Sequence, residues 1–224
     1  MQDLPPLADL TATRLSLHQV AEHVLAAARK RATGEIGLLA APGGFATPPL
    51  PDGRVIGVRG TDIVVTGPTG ASDRPLTTVR AAAQFAGVEP GFPWTKHPPS
   101  TPLEPDAGLH VDPRAAGVIA DWFALGAASL GLLATELAEQ EPSEAWIWPE
   151  HFDIGLTAGG INFGASPGDE DLPLPYLYVG PHAGPPRRDA FWNAPFGATI
   201  VITEVHTPAE ADAFFREARR RLAH

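Results

Sequence analysis

A histidine and an aspartate stand two positions apart at His151 and Asp153. On an extended chain, residues i and i+2 leave the same face. An imidazole beside a carboxylate suits two kinds of chemistry. One is proton transfer, with His151 as general base and Asp153 supporting it; the other is metal ligation. The pair lies in a stretch, 146–196, that holds three of the five tryptophans, both tyrosines and an acidic, proline-broken loop at 166–175.

Alternation along this stretch separates two kinds of side chain. Phe152, Ile154, Leu156, Ile161, Phe163, Leu177 and Val179 form an apolar set that should turn inward beneath helices. Their neighbours His151, Asp153, Thr157, Asn162, Tyr176 and Tyr178 are polar, with Ser166 and His182 just past the strand ends. The expected site is therefore a sheet face. His151 and Asp153 are its catalytic candidates, Asn162 and His182 supply polar contacts, and Trp148, Tyr176, Tyr178 and Trp192 serve as walls. The bland counterpart is an antiparallel sheet that keeps one side wet.

Other arrangements are weaker. A metal would need a third ligand from His182 or His206, and Glu150 falls on the opposite side of the strand. His151, Asp153, His206 and Arg216 match the order of iron and 2-oxoglutarate oxygenases, but His206 abuts a helix start and Arg216 falls within the expected helix. Gly164-Ala165-Ser166-Pro167-Gly168 fits a nucleophile-elbow pattern, yet Pro167 has no N–H for an oxyanion hole. Pro42-Gly43-Gly44 lacks the lysine of a phosphate-binding loop. His18 and His23, five apart on an ideal helix, diverge by about 140° and are expected on the solvent side.

Composition sets the frame around these residues. At 224 residues, 44% hydrophobic and 19% charged, the chain carries enough apolar content for a folded core. The absence of cysteine excludes disulfides, thiolate metal sites and a thiol nucleophile, and it fits a reducing, cytoplasmic setting. Met1 to Leu10 shows no basic segment followed by an apolar one, so no secretory signal is expected. A net charge of −10 disfavours nucleic acid, and Arg216, Arg219, Arg220 and Arg221 are expected to be spent on salt bridges to acidic loops. The apolar run 115–138 carries Asp121 and Glu136 and reads as a core helix, so no membrane partner is expected.

The elements that would hold the site follow from periodicity and caps. Ser16 and Gln19 suggest a capping box opening a helix over 17–33. Strand-like runs at 35–40, 54–59 and 62–66 precede a short helix capped by Thr77 or Thr78 and closed by Gly87. Residues 89–113 read as a proline-rich connector, and Asp112-Pro113 opens the longest helix. Strands are expected at 146–148, 151–157, 161–165, 175–179 and 199–204, then a helix opened by Thr207, Pro208 and Glu210. The order gives an α+β fold: a single unit of two similar helix–β-meander–helix halves, about 1–105 and 106–224, with mostly antiparallel sheet and helices on one side. A faint echo, Ile36-Gly37-Leu38 with Gly43-Gly44 against Ile154-Gly155-Leu156 with Gly159-Gly160, suggests internal duplication.

The runs Trp148-Pro149-Glu150-His151-Phe152-Asp153, Asn162 to Asp169, Pro175 to Pro181 and Phe191 to Gly197 resemble a family of actinobacterial proteins of unknown function. The resemblance implies an intracellular bacterial protein and carries over no catalytic residue or cofactor. The expected function is binding of, or action on, a small polar or aromatic ligand at the C-terminal sheet face. The rival is a noncatalytic protein-interaction module, with self-association as one form of it. A His/carboxylate metal enzyme stands behind both.

Overall fold

The computed structural model describes residues 4–91 and 99–223. The expected connector 89–113 therefore lies partly outside the described residues. The architecture is α+β, with two five-stranded antiparallel sheets, each in simple sequential order. The chain divides into two compact units, the first formed by Leu4–Asp121 with Ile147–Phe152, the second by Trp122–Trp146 and the chain from Asp153 onward.

In the first unit, helix α1 (Leu7–Val20) runs into a π-helical turn (Ala21–Ala26) and on into α2 (Ala27–Thr33). The helix starts ten residues before the expected point. Pro6 sits at its N-cap, where a fixed φ and a missing N–H cost nothing. Ser16 is consequently mid-helix, and its hydroxyl accepts the backbone N–H of His110 at 2.9 Å instead of capping. Gly34, at φ 84°, ends α2 in a left-handed C-cap.

The first sheet comprises β1 (Leu39–Ala41), β2 (Gly44–Ala46), β3 (Val55–Arg59), β4 (Asp62–Gly67) and β5 (Gly70–Pro75). Strands β2 and β5 were not expected: the first has three residues, and the second, Gly-Ala-Ser-Asp-Arg-Pro, has no apolar alternation and is exposed throughout. Helix α3 (Val79–Ala86) is capped by the Thr78 hydroxyl, which accepts the Ala81 N–H, and closed by Gly87. Leu17, Val20, Val24 and Leu25 are buried in this unit together with Ile56, Val58 and Ile63.

Helix α4 (Pro113–Glu136) is opened by Asp112, whose carboxylate accepts the N–H groups of Arg114 and Ala115. It is long and apolar enough to cross a membrane by length and composition, but 56% of its most apolar window is buried within the protein, as in a core helix. From Trp122 it belongs to the second unit. Gly126 lies so close to the second sheet that a Cβ there would sit 2.8 Å from both Ala165 and Ile154.

The second sheet has the order β10-β9-β8-β7-β6, with β6 at Trp146–Trp148, β7 at Asp153–Ala158, β8 at Ile161–Ser166, β9 at Tyr176–Pro181 and β10 at Ala198–Val201. Gly159 and Gly160, both at positive φ, make the two-residue turn between β7 and β8. Helix α5 (Pro208–Leu222) opens with a complete Thr207/Glu210 capping box. The ring of Phe215 meets Phe163 edge-on at 5.7 Å, on the same sheet face that Gly126 approaches. Both helical segments thus cover the same face of this sheet. The expected duplication is not shown; Gly43 and the Gly159-Gly160 pair both serve hairpin turns.

Candidate functional site

On the face of the second sheet opposite α4 and α5, strand pairing aligns Tyr178 with Gly164, and Gly164 with Gly155. The two glycines leave a trough across β8 and β7, and the Tyr178 ring lies in it. A Cβ at Gly164 would come within 2.4 Å of the ring, and one at Gly155 within 2.7 Å of its oxygen. The phenol thereby reaches the start of β7, where its hydroxyl donates to Asp153 Oδ2. Two residues earlier on β9, the Tyr176 hydroxyl donates to Asp169 Oδ2 at 2.5 Å.

These phenols are fixed donors. Burial, reinforced by the Asp153 charge, pushes Tyr178 well above the ordinary phenol range. Burial followed by the hydrogen bond to Asp169 does the same for Tyr176. Neither ionises near neutral pH, so neither acts as a base. Asp169 also caps its own loop, with Oδ1 accepting the N–H groups of Asp171 and Leu172. The acidic loop is therefore a closed turn stitched to the sheet.

Further along the same face the groups open to solvent. Asn162 Oδ1 accepts the Thr157 hydroxyl at 2.7 Å and lies 2.9 Å from His182 Nε2. Because the amide oxygen only accepts, Nε2 carries the proton. Asn162 pairs with Gly180, and Phe196 stands over that glycine, 43% exposed, with the Tyr178 ring edge-on to it at 6.3 Å. Thr157, Asn162 and His182 thus form a hydrogen-bonded row beside an exposed aromatic ring.

Several expected members lie elsewhere. The strand that was to begin at His151 begins at Asp153, and His151 is an exposed turn residue whose N–H donates to Trp148 O. The cause is Phe152, which takes a left-handed φ of 52°, so the i, i+2 rule for extended chain does not carry His151 onto the Asp153 face. Trp192 is no wall: it is fully buried, below a turn in which Asp189 accepts the N–H groups of Phe191 and Trp192. Trp148 is half-buried, and its carbonyl receives the N–H groups of His151 and Phe152. His206 is exposed beside the α5 cap, where its N–H donates to Glu210. Among the described residues no group of three or more His, Asp or Glu is placed to hold a metal. The arginine edge is spent on Glu136, Asp212 and Glu217, helical residues rather than loop ones.

A second polar cluster, in the first unit, was missed from sequence. Glu22 is completely buried, and its carboxylate accepts Ser100 N at 2.7 Å, Thr101 N at 2.9 Å and the Thr101 hydroxyl at 2.5 Å. His23, also buried, donates from Nε2 to Thr101 O at 3.1 Å, and its Nδ1 is buried without a hydrogen-bond partner. His18 donates from Nε2 to Pro149 O at 2.6 Å and stacks on Phe152 at 5.2 Å. Burial holds His18 below the usual imidazole range, although Glu22 pulls the other way. Both histidines were expected in solvent and are instead buried or nearly so. These contacts tie the segments at Pro149 and at Ser100-Thr101 to the helix. The sole hint in the sequence was the i, i+4 spacing of His18 and Glu22. Compared with models of known families, with curated proteins and with solved structures, the chain matches none.

Proposed function

We propose that the chain is a binding protein for a small polar or aromatic ligand, taken up on the face of the second sheet opposite α4 and α5. The observation that carries this reading is the row Thr157–Asn162–His182 set beside the exposed ring of Phe196. An aromatic face next to fixed amide and imidazole groups suits a flat ligand with a polar edge. Tyr176 and Tyr178 support binding over catalysis, since both are held as neutral donors on carboxylates. The cysteine-free composition is in keeping with a cytoplasmic member of the actinobacterial family that the sequence resembles.

A thermal-shift panel of aromatic acids, amides and nucleosides tests the reading. At least one class should raise the melting temperature of the wild type and lose that effect in Phe196→Ala and Asn162→Ala. Equal shifts in wild type and both variants, or none across the panel, would sink it. The same exposed Phe196 also favours a second reading, a noncatalytic interface that includes self-association. Light scattering over a concentration series would then show an oligomer that Phe196→Ala dissociates.

A further inference from the structure

In the first unit, a groove of about 300 Å³ runs between α2, the segment before β3 and the residues following α3. Its apolar lining includes Ala28, Leu50 and Val88. Two guanidinium groups flank it, and each is pinned by backbone. Arg31 donates to Glu89 O at 2.5 Å and to Gly91 O at 2.7 Å. Arg54 donates to Ala86 O at 2.7 Å and to Asp52 Oδ2 at 2.7 Å. A guanidinium carries five N–H donors, so each arginine has spent only part of its capacity while losing its freedom to move.

Charge narrows what fits. Asp52 and Arg54 neutralise one another as an ion pair. The other charged residues of the lining are Arg31 and Glu89, both exposed, around the apolar Ala28, Leu50 and Val88. That pattern complements a molecule bearing one carboxylate, one ammonium and a compact hydrocarbon part. A bare anion would meet Glu89 as a like charge, and a bare amine would meet Arg31. A volume of about 300 Å³ is at the small end for ligand pockets and suits a molecule of amino-acid size.

We propose that this groove binds a small aliphatic zwitterion, with α-amino acids of the leucine type as its ligand class. The carboxylate engages the spare donors of Arg31 and Arg54, the ammonium faces Glu89, and the side chain covers Ala28, Leu50 and Val88. The site belongs to a different unit from the sheet face above and is independent of it.

Methyl-labelled protein gives the test, with the Leu50 and Val88 methyl resonances followed by NMR during titration. Three probes are used: L-leucine, 4-methylpentanoate, which lacks the ammonium, and isopentylamine, which lacks the carboxylate. L-leucine should shift both methyls saturably and bind about tenfold or more tightly than either half-probe. Glu89→Gln, an exposed change that keeps the backbone carbonyl on Arg31, should erase the advantage of L-leucine over 4-methylpentanoate. Arg31→Gln should erase its advantage over isopentylamine. Absence of saturable shifts with L-leucine, equal affinity for a half-probe, or an unchanged preference in Glu89→Gln would each overturn the assignment.

Discussion

Replacing Glu22 by leucine removes a fully buried carboxylate and strands the three donors it receives, Ser100 N, Thr101 N and the Thr101 hydroxyl. Ser100 is exposed, so its N–H recovers a water partner. Thr101 is 6% exposed, and its two donors are left in the protein interior. An orphaned buried donor costs about 1–3 kcal/mol, so two of them give a loss of about 2–6 kcal/mol. Glu22→Gln keeps the shape and one acceptor oxygen but turns an NH2 group toward the remaining donor. It should cost about 1.5–3 kcal/mol, the worth of one charge-assisted bond. Urea unfolding checks the order, with the midpoint falling from wild type to Gln to Leu. A cycle with Thr101→Val isolates the pair, since the glutamine change should cost less once the hydroxyl is gone. A Glu22→Leu midpoint equal to that of the wild type would refute the claim that this carboxylate holds the 99–101 loop to the helix.

Two further outcomes follow from the second unit. The chain has only two tyrosines, and both are held above the ordinary phenol range, so near-ultraviolet titration of the folded protein should show no tyrosinate where free tyrosine ionises, at about pH 10. A folded-state value above the unfolded one means that this stabilisation is complete below about pH 10 and is lost as pH rises through the folded values. Tyrosinate should therefore appear only with alkaline unfolding, and a reversible transition near pH 10 with the fold intact would contradict the buried phenol–carboxylate pairs. Gly126→Ala should destabilise by about 1–3 kcal/mol in thermal or urea unfolding, because the new methyl would sit 2.8 Å from Ala165 and Ile154 and push α4 off the sheet. A neutral result would mean that the helix is not seated against β7 and β8.

Much of this fold was legible because its signals are local. Thr78, Asp112 and Thr207 each begin a helix as their side chains predict, and Gly87 ends one. Alternation separated Ile154, Leu156, Phe163, Leu177 and Val179, all buried, from the residues of the opposite face. It could not see that Phe152 would abandon extended geometry. A left-handed aromatic residue costs about 1–3 kcal/mol and is offset here by burial between His18 and Phe45, with ring centroids at 5.2 and 5.3 Å. Those partners are more than a hundred residues away in sequence, so no window around 151–153 contains the reason. The same holds for Trp192, which was expected as a wall of the site and is a core residue whose N–H is held by Asp189.

Helix one shows the limit from the opposite direction. On a regular helix, residues five apart diverge by about 140°, and an amphipathic stripe of Leu17, Val20, Val24 and Leu25 then assigns His18 and His23 to water. A π-helical turn over Ala21–Ala26 bonds i to i+5 and rotates the later residues back toward the earlier ones. His18, Glu22 and His23 come onto neighbouring parts of the helix, with His18 Nε2 3.9 Å from the Glu22 carboxylate. The turn is a costly departure from α geometry, and nothing in Ala-Glu-His-Val-Leu-Ala favours it locally. What stabilises it is the set of bonds it permits: three onto Glu22, one from His23 to Thr101 and one from His18 to Pro149. Glu22→Leu therefore perturbs the helix as well as the loop. Amide exchange through 21–26 should quicken with it, and protection unchanged there would mean that the π turn stands without the bonds credited with holding it.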